Sequence, residues 1–261
     1  MAQVKARAPV KVWQDVVFAI FIREIRSKFD DKVGISWAVI QPVSFIFILS
    51  FIRGRMDGGL THTMPTFIFM MYGMIMIQLF LSTLASTATA IHRNKALFSF
   101  RQVQPLSAVM ANALFEILVK VAVIIVLWVA VYFIGVEMRL DDPLMVLLML
   151  LNVWLLAASL GLIMALAKEF VVEIDKIRNL ITRPMFFISG VFFSLQDISE
   201  QYWPFLNWNP LVHSIELSRQ AAYSGYQAQG VSLTYLNLTT MMLLITALIF
   251  YQLSWRQVVS R

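Results

Sequence analysis

The feature that most constrains this chain is a series of apolar runs, each about 18 residues or longer, separated by short polar segments. A run of that length can cross the hydrocarbon core of a bilayer as a helix. Only 14% of the 261 residues are charged, against about 25% in a typical soluble domain. No polar stretch is long enough to bury a core of its own. The sequence therefore predicts a single all-α membrane domain over residues 1–261.

The apolar runs predict six transmembrane helices. Five of them are placed at 35–52, 66–90, 108–134, 144–167 and 231–253. The remaining one, fifth along the chain, begins near residue 183, after a loop predicted at 168–183 that carries charges of both signs. With the N-terminus inside, most Lys and Arg residues fall in cytoplasmic segments, as the positive-inside rule requires. The segments placed outside contain Arg53, Arg55, Arg139 and Arg219. The prediction is a multi-pass protein with both termini in the cytoplasm.

Residues 10–30 predict an amphipathic helix that carries too many charges to cross a membrane. Trp13 and Phe21 belong to its apolar face, and Arg23 and Arg26 belong to its polar face. A basic helix with Trp and Phe on one side is typical of a helix that lies in the plane of the membrane interface. Docking onto another protein is the alternative, and the two placements are compatible.

Residues 91–106 form a short basic segment with a helical pattern, on the side predicted to be cytoplasmic. Apolar and polar positions alternate in it, at Leu97, Phe98 and Val103 and at His92, Arg93, Asn94, Lys95 and Arg101. The pattern favours a surface helix that contacts a partner, with binding to the membrane surface as the alternative.

Residues 183–219 begin as a membrane helix and then break at a polar bend around Gln196, Asp197 and Glu200. The bend is followed by a cluster of aromatic residues and two prolines, at Tyr202, Trp203, Pro204, Phe205, Trp208 and Pro210. Proline interrupts a helix, and irregular backbone at membrane depth is tolerated only when it is packed in protein or lines a wet cavity. The sequence predicts an outer re-entrant hairpin at 196–210, with an interfacial aromatic belt as the alternative.

The polar residues inside the predicted membrane helices include Gln41, Glu116 and Lys120. Gln41 is expected to hydrogen-bond to a neighbouring helix. Glu116 and Lys120 are one turn apart, in the order that favours an ion pair. The alternative is that both lie near the cytoplasmic head groups, with the Lys120 ammonium reaching out to them.

Motifs for catalysis or cofactor binding are absent from the sequence. It contains neither a phosphate-binding Gly-x-x-x-x-Gly-Lys-[Ser/Thr] motif nor a His-Glu-x-x-His motif. It has no cysteine, and His62, His92 and His213 are far apart, so no metal site is predicted. The net charge of +6 is explained by cytoplasmic Lys and Arg rather than by nucleic-acid binding. A transporter or channel is favoured over an enzyme.

Four stretches carry a resemblance to a known family. They are FIREIRSKF at 21–29, WAVIQP at 37–42, LFSFRQVQP at 97–105 and NPLVHSIELSR at 209–219. With these stretches, the chain resembles the membrane subunit of ABC-2 type exporters and, more closely, the KpsM-type branch that exports capsular polysaccharide in Gram-negative bacteria. The resemblance covers nearly the whole chain. It departs at Gln41, where an acidic residue is expected before the proline, which leaves open any role for a charge there.

The resemblance implies a half-transporter in the bacterial inner membrane. Two copies would pair and bind two separate ATPase subunits, which hold ATP and magnesium, so this chain itself would have no catalytic residue. The segment 91–106 would be the coupling helix that seats on the ATPase, through His92, Arg93, Asn94, Lys95, Leu97, Phe98 and Arg101. Residues 10–30 would be the gate helix, with Trp13, Phe21, Arg23, Glu24 and Arg26.

The resemblance also implies a substrate, a long and often anionic glycan carried on a lipid. Aromatic side chains suit stacking on sugars, arginines suit acidic groups, and spans 1 and 5 would line the path. The candidate path residues are Trp37, Gln41, Arg53, Arg55, Tyr202, Trp203, Trp208, Glu216 and Arg219. Further partners would be a periplasmic adaptor and outer-membrane export proteins. The alternatives are export of O-antigen, teichoic acid or a small molecule, and a membrane enzyme that acts on lipid-linked sugars.

Overall fold

The structure, a computed structural model, describes residues 8–29, 34–56 and 58–260, and these ranges are mostly helical. In chain order the helices are α1 (Pro9–Phe29), α2 (Gly34–Met56), α3 (Thr66–Arg93), α4 (Pro105–Ile134), α5 (Pro143–Lys168), α6 (Ile174–Ile188), α7 (Pro210–Ala222) and α8 (Leu233–Ser260). Two short strands, β1 (Leu60–Thr61) and β2 (Met64–Pro65), pair antiparallel between α2 and α3. The predicted helical class is confirmed.

Five of the described helices are long and apolar enough to cross a membrane. They are α2, α3, α4, α5 and α8. They coincide with the helices predicted at 35–52, 66–90, 108–134, 144–167 and 231–253, and extend beyond them by a few residues at several ends. The apolar runs therefore locate these five helices correctly.

The fifth predicted span differs from the expectation. Its helix, α6, begins at Ile174, inside the charged stretch 168–183 that the sequence analysis treats as a loop. That loop prediction is wrong for most of the stretch, because α6 is amphipathic and its charged face hides the helical pattern. With 15 residues, α6 is shorter than the roughly 20 that cross a bilayer alone.

Helix α3 is the centre of the bundle. It is buried along most of its length, and α2, α4, α5 and α7 pack around it. A helix that is apolar on every side is expected at such a central position. The second half of α3 is rich in small side chains, which lets α5 approach closely at Gly161.

The close approach of α3 and α5 gives a first prediction, for Gly161→Ala. A Cβ atom at Gly161 would lie 1.8 Å from Thr87 Oγ1, and that hydroxyl already donates to the Thr83 carbonyl at 2.6 Å. We expect a loss of about 1–3 kcal/mol in stability, because the helices must move apart. The measurement is thermal unfolding of the purified protein in detergent.

Gly54→Ala is the matched control for this substitution. Gly54 also lies in a helix, but an added Cβ there meets its nearest neighbour, Phe67, at 3.5 Å, an ordinary contact. It should leave the unfolding temperature unchanged or raise it slightly. Equal unfolding temperatures for the two variants would contradict the tight packing at Gly161.

The bundle has two ends that differ in their polar groups. The proximal end is defined here by the C-terminus of α3, the 3₁₀ turn Lys95–Ser99 and the C-terminus of α5. The distal end is defined by β1, β2 and the segment between α6 and α8. In that segment two 3₁₀ turns, Leu195–Asp197 and Glu200–Phe205, lead into α7.

Helix α7 is almost fully buried and packs against α3, α5 and α8. Its start follows from local sequence, since the Asn209 side chain accepts a hydrogen bond from the Leu211 amide and Pro210 occupies the first helical position. The sequence analysis treats Pro210 as an interruption, whereas in the structure it begins a helix. This helix places Glu216 and Arg219 in the interior of the distal end.

Candidate functional site

The proximal end carries a connected set of polar side chains from three helices. Arg93, the last residue of α3, places its Nη2 atom 3.1 Å from Glu24 Oε1 of α1 and donates to Asn112 Oδ1 of α4 at 2.5 Å. Arg23 of α1 donates through Nη2 to Asn94 Oδ1. The structure thus joins residues that the sequence analysis assigns to two separate elements, the gate helix and the coupling segment.

Helix α1 reaches this set because one of its faces is buried. Val17, Ile20 and Glu24 follow each other at three- and four-residue steps and are buried where α1 packs against α4. The Glu24 carboxylate has Arg93 as its partner, as a buried charge requires. Trp13 and Phe21 are half-buried and line an apolar groove of about 750 Å³ between α1 and α4, while Arg26 is exposed.

Residues 91–106 do not form one helix. The α3 helix ends at Arg93, because Asn94 leaves the helical conformation (φ −106°, ψ 10°) while its side-chain amide donates to the Ala90 carbonyl at 2.7 Å. The 3₁₀ turn Lys95–Ser99 follows, and Pro105 begins α4. The helical pattern in this stretch therefore reflects two helix ends and a short turn.

Exposure divides the predicted coupling residues into two groups. Exposed side chains are His92, Arg93, Lys95 and Arg101, Leu97 is half-buried, and Asn94 and Phe98 are buried. Asn94 and Phe98 are therefore used inside the chain rather than on a docking surface. Phe100 is 63% exposed next to the turn and is a large apolar side chain that a partner can reach. Phe100 is not among the predicted coupling residues.

A second group of charges links the proximal turn to α5 and α6. Glu169, directly after α5, has one carboxylate oxygen 3.4 Å from His92 Nδ1 and the other 3.7 Å from Lys95 Nζ. Asp175 of α6 has oxygens 2.5 Å from Lys168 Nζ and 3.1 Å from Arg178 Nη1. The turn is thereby linked to α5, and the end of α5 to α6. Sequence spacing gives no indication of these contacts.

The distal end contains a network of four fully buried polar side chains. Arg219 Nη1 lies 2.9 Å from Glu216 Oε1. The other oxygen of that carboxylate accepts hydrogen bonds from Tyr226 Oη at 2.6 Å and from Ser194 Oγ at 3.1 Å. A buried ion pair needs such additional hydrogen bonds to offset the cost of removing both charges from water.

The rest of the Arg219 guanidinium is also occupied. It donates to the backbone carbonyls of Phe69 and Val191 at 3.2 and 2.9 Å and lies 3.4 Å from the centroid of the Phe69 ring. Gly73 leaves room for it, since a Cβ at that position would lie 2.8 Å from Arg219 Nη2. The geometry supports a structural role for Glu216 and Arg219, which tie α7 to α3, rather than the predicted contact with substrate.

The other predicted substrate-path residues are distributed over the molecule. Trp37 and Gln41 are exposed on the first half of α2, whereas Arg53 and Arg55 lie near its end. Tyr202 and Trp208 are exposed at the distal end.

Trp203, predicted beside them, is half-buried, and its indole N–H donates to the carbonyls of Leu195 and Ile198 at 3.0 and 2.9 Å. A Cβ added at Gly230 would lie 2.7 Å from the Trp203 ring. Trp203 therefore holds the distal segment together, and Tyr202 and Trp208 are the exposed aromatics beside it.

Two further contacts connect distal loops. His62 Nε2, in the β1–β2 turn, lies 2.7 Å from Asp197 Oδ1. The Ser224 backbone amide donates to Asp141 at 2.8 Å, and this hydrogen bond holds the pKa of the Asp141 carboxyl below its usual value. Across residues 8–29, 34–56 and 58–260, no three His, Asp or Glu side chains are grouped so that they could hold a metal ion.

Comparison with known proteins places this geometry in context. The profile of the ABC-2 type transporter family matches residues 15–223. The chain is 36% identical to the polysialic acid transport protein KpsM of Escherichia coli, over 95% of this chain and 96% of that protein. It is 25% identical to the capsule polysaccharide export inner-membrane protein BexB of Haemophilus influenzae, over 90% and 89% of the two chains. It is 28% identical to the capsule polysaccharide export inner-membrane protein CtrC of Neisseria meningitidis serogroup A, over 85% of this chain and 82% of that protein.

Proposed function

Because the chain belongs to the ABC-2 type transporter family, we propose that it is the membrane-spanning permease of an ATP-driven exporter of capsular polysaccharide in the bacterial inner membrane. Similarity to the polysialic acid transport protein KpsM and to the capsule polysaccharide export proteins BexB and CtrC supports the cargo class. The structural observation that carries the proposal is the proximal network, in which an exposed turn is linked to α1 and α5. Such a network can carry a displacement of the exposed turn to both helices.

The proposed coupling runs through two pairs of contacts. The ATPase binds the surface formed by the turn Lys95–Ser99 and Phe100. Displacement of the turn is transmitted to α1 through Arg93 and Glu24, and to α5 through Lys95 and Glu169. Charged pairs suit this task because they can exchange partners without a hydrophobic core being opened. ATP and magnesium bind to the ATPase, and this chain supplies the contacts that receive the motion.

The proposed assembly contains two copies of this chain and two ATPase subunits. Both termini and the proximal end face the cytoplasm, and the distal end faces the periplasm, where an adaptor and outer-membrane export proteins dock. Support for pairing comes from α6, which exposes the large apolar side chains of Leu180, Ile181 and Phe187. Since α6 is too short to cross the bilayer alone, this face is proposed to pack against a second copy rather than lipid.

The sixth span and the re-entrant hairpin are part of this proposal. Helix α6 crosses part of the bilayer, and the 3₁₀ turns that follow it continue in the outer half before α7. Irregular backbone at that depth must be packed in protein. The burial of Ser194 and Leu195, and the enclosure of α7 by α3, α5 and α8, support this arrangement.

The lipid-linked glycan is proposed to leave beside the exposed distal aromatics. Tyr202 and Trp208 present their rings to the surface, where they can stack on sugar faces. Arg55, exposed at the end of α2, can meet acidic groups of the glycan. Trp37 and Gln41 lie on the opposite half of α2, where the glycan enters.

Phe100→Asp tests the proposed docking surface. We expect the amount of ATPase that co-purifies with the chain to fall about tenfold, because a charge replaces an apolar anchor in the interface. The measurement is the ratio of the two subunits after affinity purification of the co-expressed pair, together with ATP turnover. Arg101→Ala, beside it, should weaken the complex less.

Phe205→Asp is the matched control, because Phe205 is a similarly exposed phenylalanine, 73% accessible, at the distal end. It should leave ATPase binding unchanged. If Phe100→Asp binds the ATPase as well as the unaltered chain does, the docking surface lies elsewhere. If the unaltered chain retains no ATPase at all, the permease proposal itself fails.

A further inference from the structure

A cavity with several polar side chains in its wall lies between α2, α3 and α4, away from the proximal and distal networks. Its volume is about 320 Å³. Its polar lining comes from Gln41 of α2, Gln78 and Ser82 of α3, and Glu116 and Lys120 of α4. All three helices are candidate membrane spans, so these groups lie inside a region where polar side chains are costly and are usually kept for a function.

Lys120 is the most unusual group in this cavity. It is 5% exposed and is the sixteenth residue of the 30-residue helix α4, so it lies at the middle of a span. Among the described residues no carboxylate lies within 4.0 Å of its ammonium group, although Glu116, one turn away, is close enough to interact electrostatically. The ion pair predicted between Glu116 and Lys120 is therefore not formed at contact distance, and the ammonium group lies in the interior of the bundle.

The amide of Gln78 carries an unsatisfied oxygen in the same cavity. Its Oε1 atom is buried and has no hydrogen-bond partner among the described residues. Gln78 is the thirteenth residue of the 28-residue helix α3, at the same central depth as Lys120. A buried polar atom without a partner costs about 1–3 kcal/mol, so a ligand that supplies the partner binds favourably.

A second, smaller cavity shares Lys120 with the cavity between α2, α3 and α4. It has a volume of about 130 Å³ and is lined by Lys120 together with apolar side chains of α3, α4 and α5, among them Leu79, Ile124 and Trp154. Lys120 therefore lies between a cavity that contains several other polar groups and a cavity whose remaining lining is apolar. This arrangement matches an amphiphile, with an anionic head on one side of the ammonium and a hydrocarbon chain on the other.

We propose that the cavity between α2, α3 and α4 is a binding site for the phosphate-bearing lipid end of the exported glycan. The Lys120 ammonium holds the phosphate as a point charge. Gln41, Gln78, Ser82 and Glu116 bind hydroxyl groups next to the phosphate, since amides donate and accept and a carboxylate accepts. The adjoining apolar cavity holds the start of the hydrocarbon chain. This inference rests on the proposed function, which supplies a lipid-linked glycan as the cargo.

The central depth of the site favours the cargo over a resident membrane phospholipid. Head groups of resident lipids stay at the membrane surface, whereas Lys120 and Gln78 lie halfway along helices of 30 and 28 residues. A head group reaches that depth when it is being moved across the bilayer. Binding of a resident phospholipid alone is an outcome that the experiment must separate.

The test compares lipids retained by the purified chain. The unaltered protein, Lys120→Met and Lys120→Arg are purified from cells that make the polysaccharide and from cells whose polysaccharide synthesis is disrupted. Mass spectrometry and sugar analysis then give the glycan-linked lipid and the phospholipid retained per protein. We expect Lys120→Met to retain about tenfold less glycan-linked lipid, and Lys120→Arg to retain it, because the arginine keeps the charge. Lys176→Met, at an exposed lysine of α6, is the control and should behave as the unaltered chain.

Two results would overturn this site. One is equal retention of glycan-linked lipid by Lys120→Met and the unaltered chain, and the other is retention of phospholipid only, whether or not the cells make the polysaccharide. Co-purification of the ATPase is measured on the same samples. Since the docking turn precedes α4 and Lys120 lies at the middle of that helix, a failed lipid site leaves ATPase binding intact. Loss of ATPase binding in the unaltered chain would instead count against the proposed function.

Discussion

Arg219→Ala is expected to lower the free energy of unfolding by about 3–5 kcal/mol, because it leaves the Glu216 carboxylate buried without its counter-charge. The change also removes the donors that bind the Phe69 and Val191 carbonyls, so α7 loses its attachment to α3. In thermal unfolding of the detergent-solubilised protein, we expect the transition to fall by about 10 °C. The amount of protein recovered from the membrane should fall as well.

Two further variants serve as comparisons for Arg219→Ala: Arg55→Ala is the control, and a double substitution removes both charges of the pair. Arg55 is an exposed arginine, whose guanidinium lies 5.3 Å from the Phe51 ring, and its removal should shift the transition little. Arg219→Met with Glu216→Gln removes both charges, and we expect it to recover part of the loss, since a buried pair is costly mainly when it is half removed. An Arg219→Ala protein as stable as the Arg55→Ala protein would show that the pair contributes nothing to the fold.

Most of the helical framework could be predicted from apolar runs, because each run has the length of a span and is bounded by Gly, Pro or charged residues. The runs that become α4 and α5 are examples, since Pro105 and Pro143 occupy their first positions. Helix α6 could not be found in this way. Its charges, such as Asp175 and Arg178, pair with each other and with Lys168, and such pairing depends on how the chain folds back after α5.

The sequence indicates which residues are candidates for the sites, but it does not indicate which of them contact each other. The sequence predicts functional residues in two separate segments, Arg23 and Glu24 in one and Arg93 and Asn94 in the other. Nothing in their spacing indicates that the two segments meet. Asn112 accepts a hydrogen bond from Arg93. It lies in an apolar run, where nothing in the sequence distinguishes it from other small polar residues.

The prediction that Glu216 and Arg219 contact substrate meets a different difficulty, which is that burial cannot be read from the residue type. Charged residues next to exposed aromatics suggested a substrate path, yet the helix formed by 210–222 turns both side chains inward. Burial of a charge becomes visible only when its partners are known, and here those partners include Phe69, Ser194 and Tyr226, which are distant in sequence from one another.

The second large effect is expected for Arg93→Glu. This change places two carboxylates, those of residues 24 and 93, against each other where the structure has an ion pair with 3.1 Å between Arg93 Nη2 and Glu24 Oε1. Because Glu24 is buried, its carboxylate is left without a counter-charge, and α1 should separate from the end of α3. We expect polysaccharide export to fall at least about tenfold, while the ATPase still co-purifies, because the exposed Phe100 surface is unchanged.

The charge swap Glu24→Arg with Arg93→Glu separates loss of coupling from loss of folding. The swapped pair restores the attraction between α1 and α3, so export should recover in part, although Asn112 then faces a carboxylate instead of a guanidinium donor. Capsule on the cell surface, ATP turnover of the purified complex and the amount of complex are measured together for each variant. If both single changes export normally, contact between α1 and the end of α3 is not part of coupling. If the single changes lose the whole complex and the swap does not restore it, the pair serves assembly, and the coupling motion must travel through Lys95 and Glu169 instead.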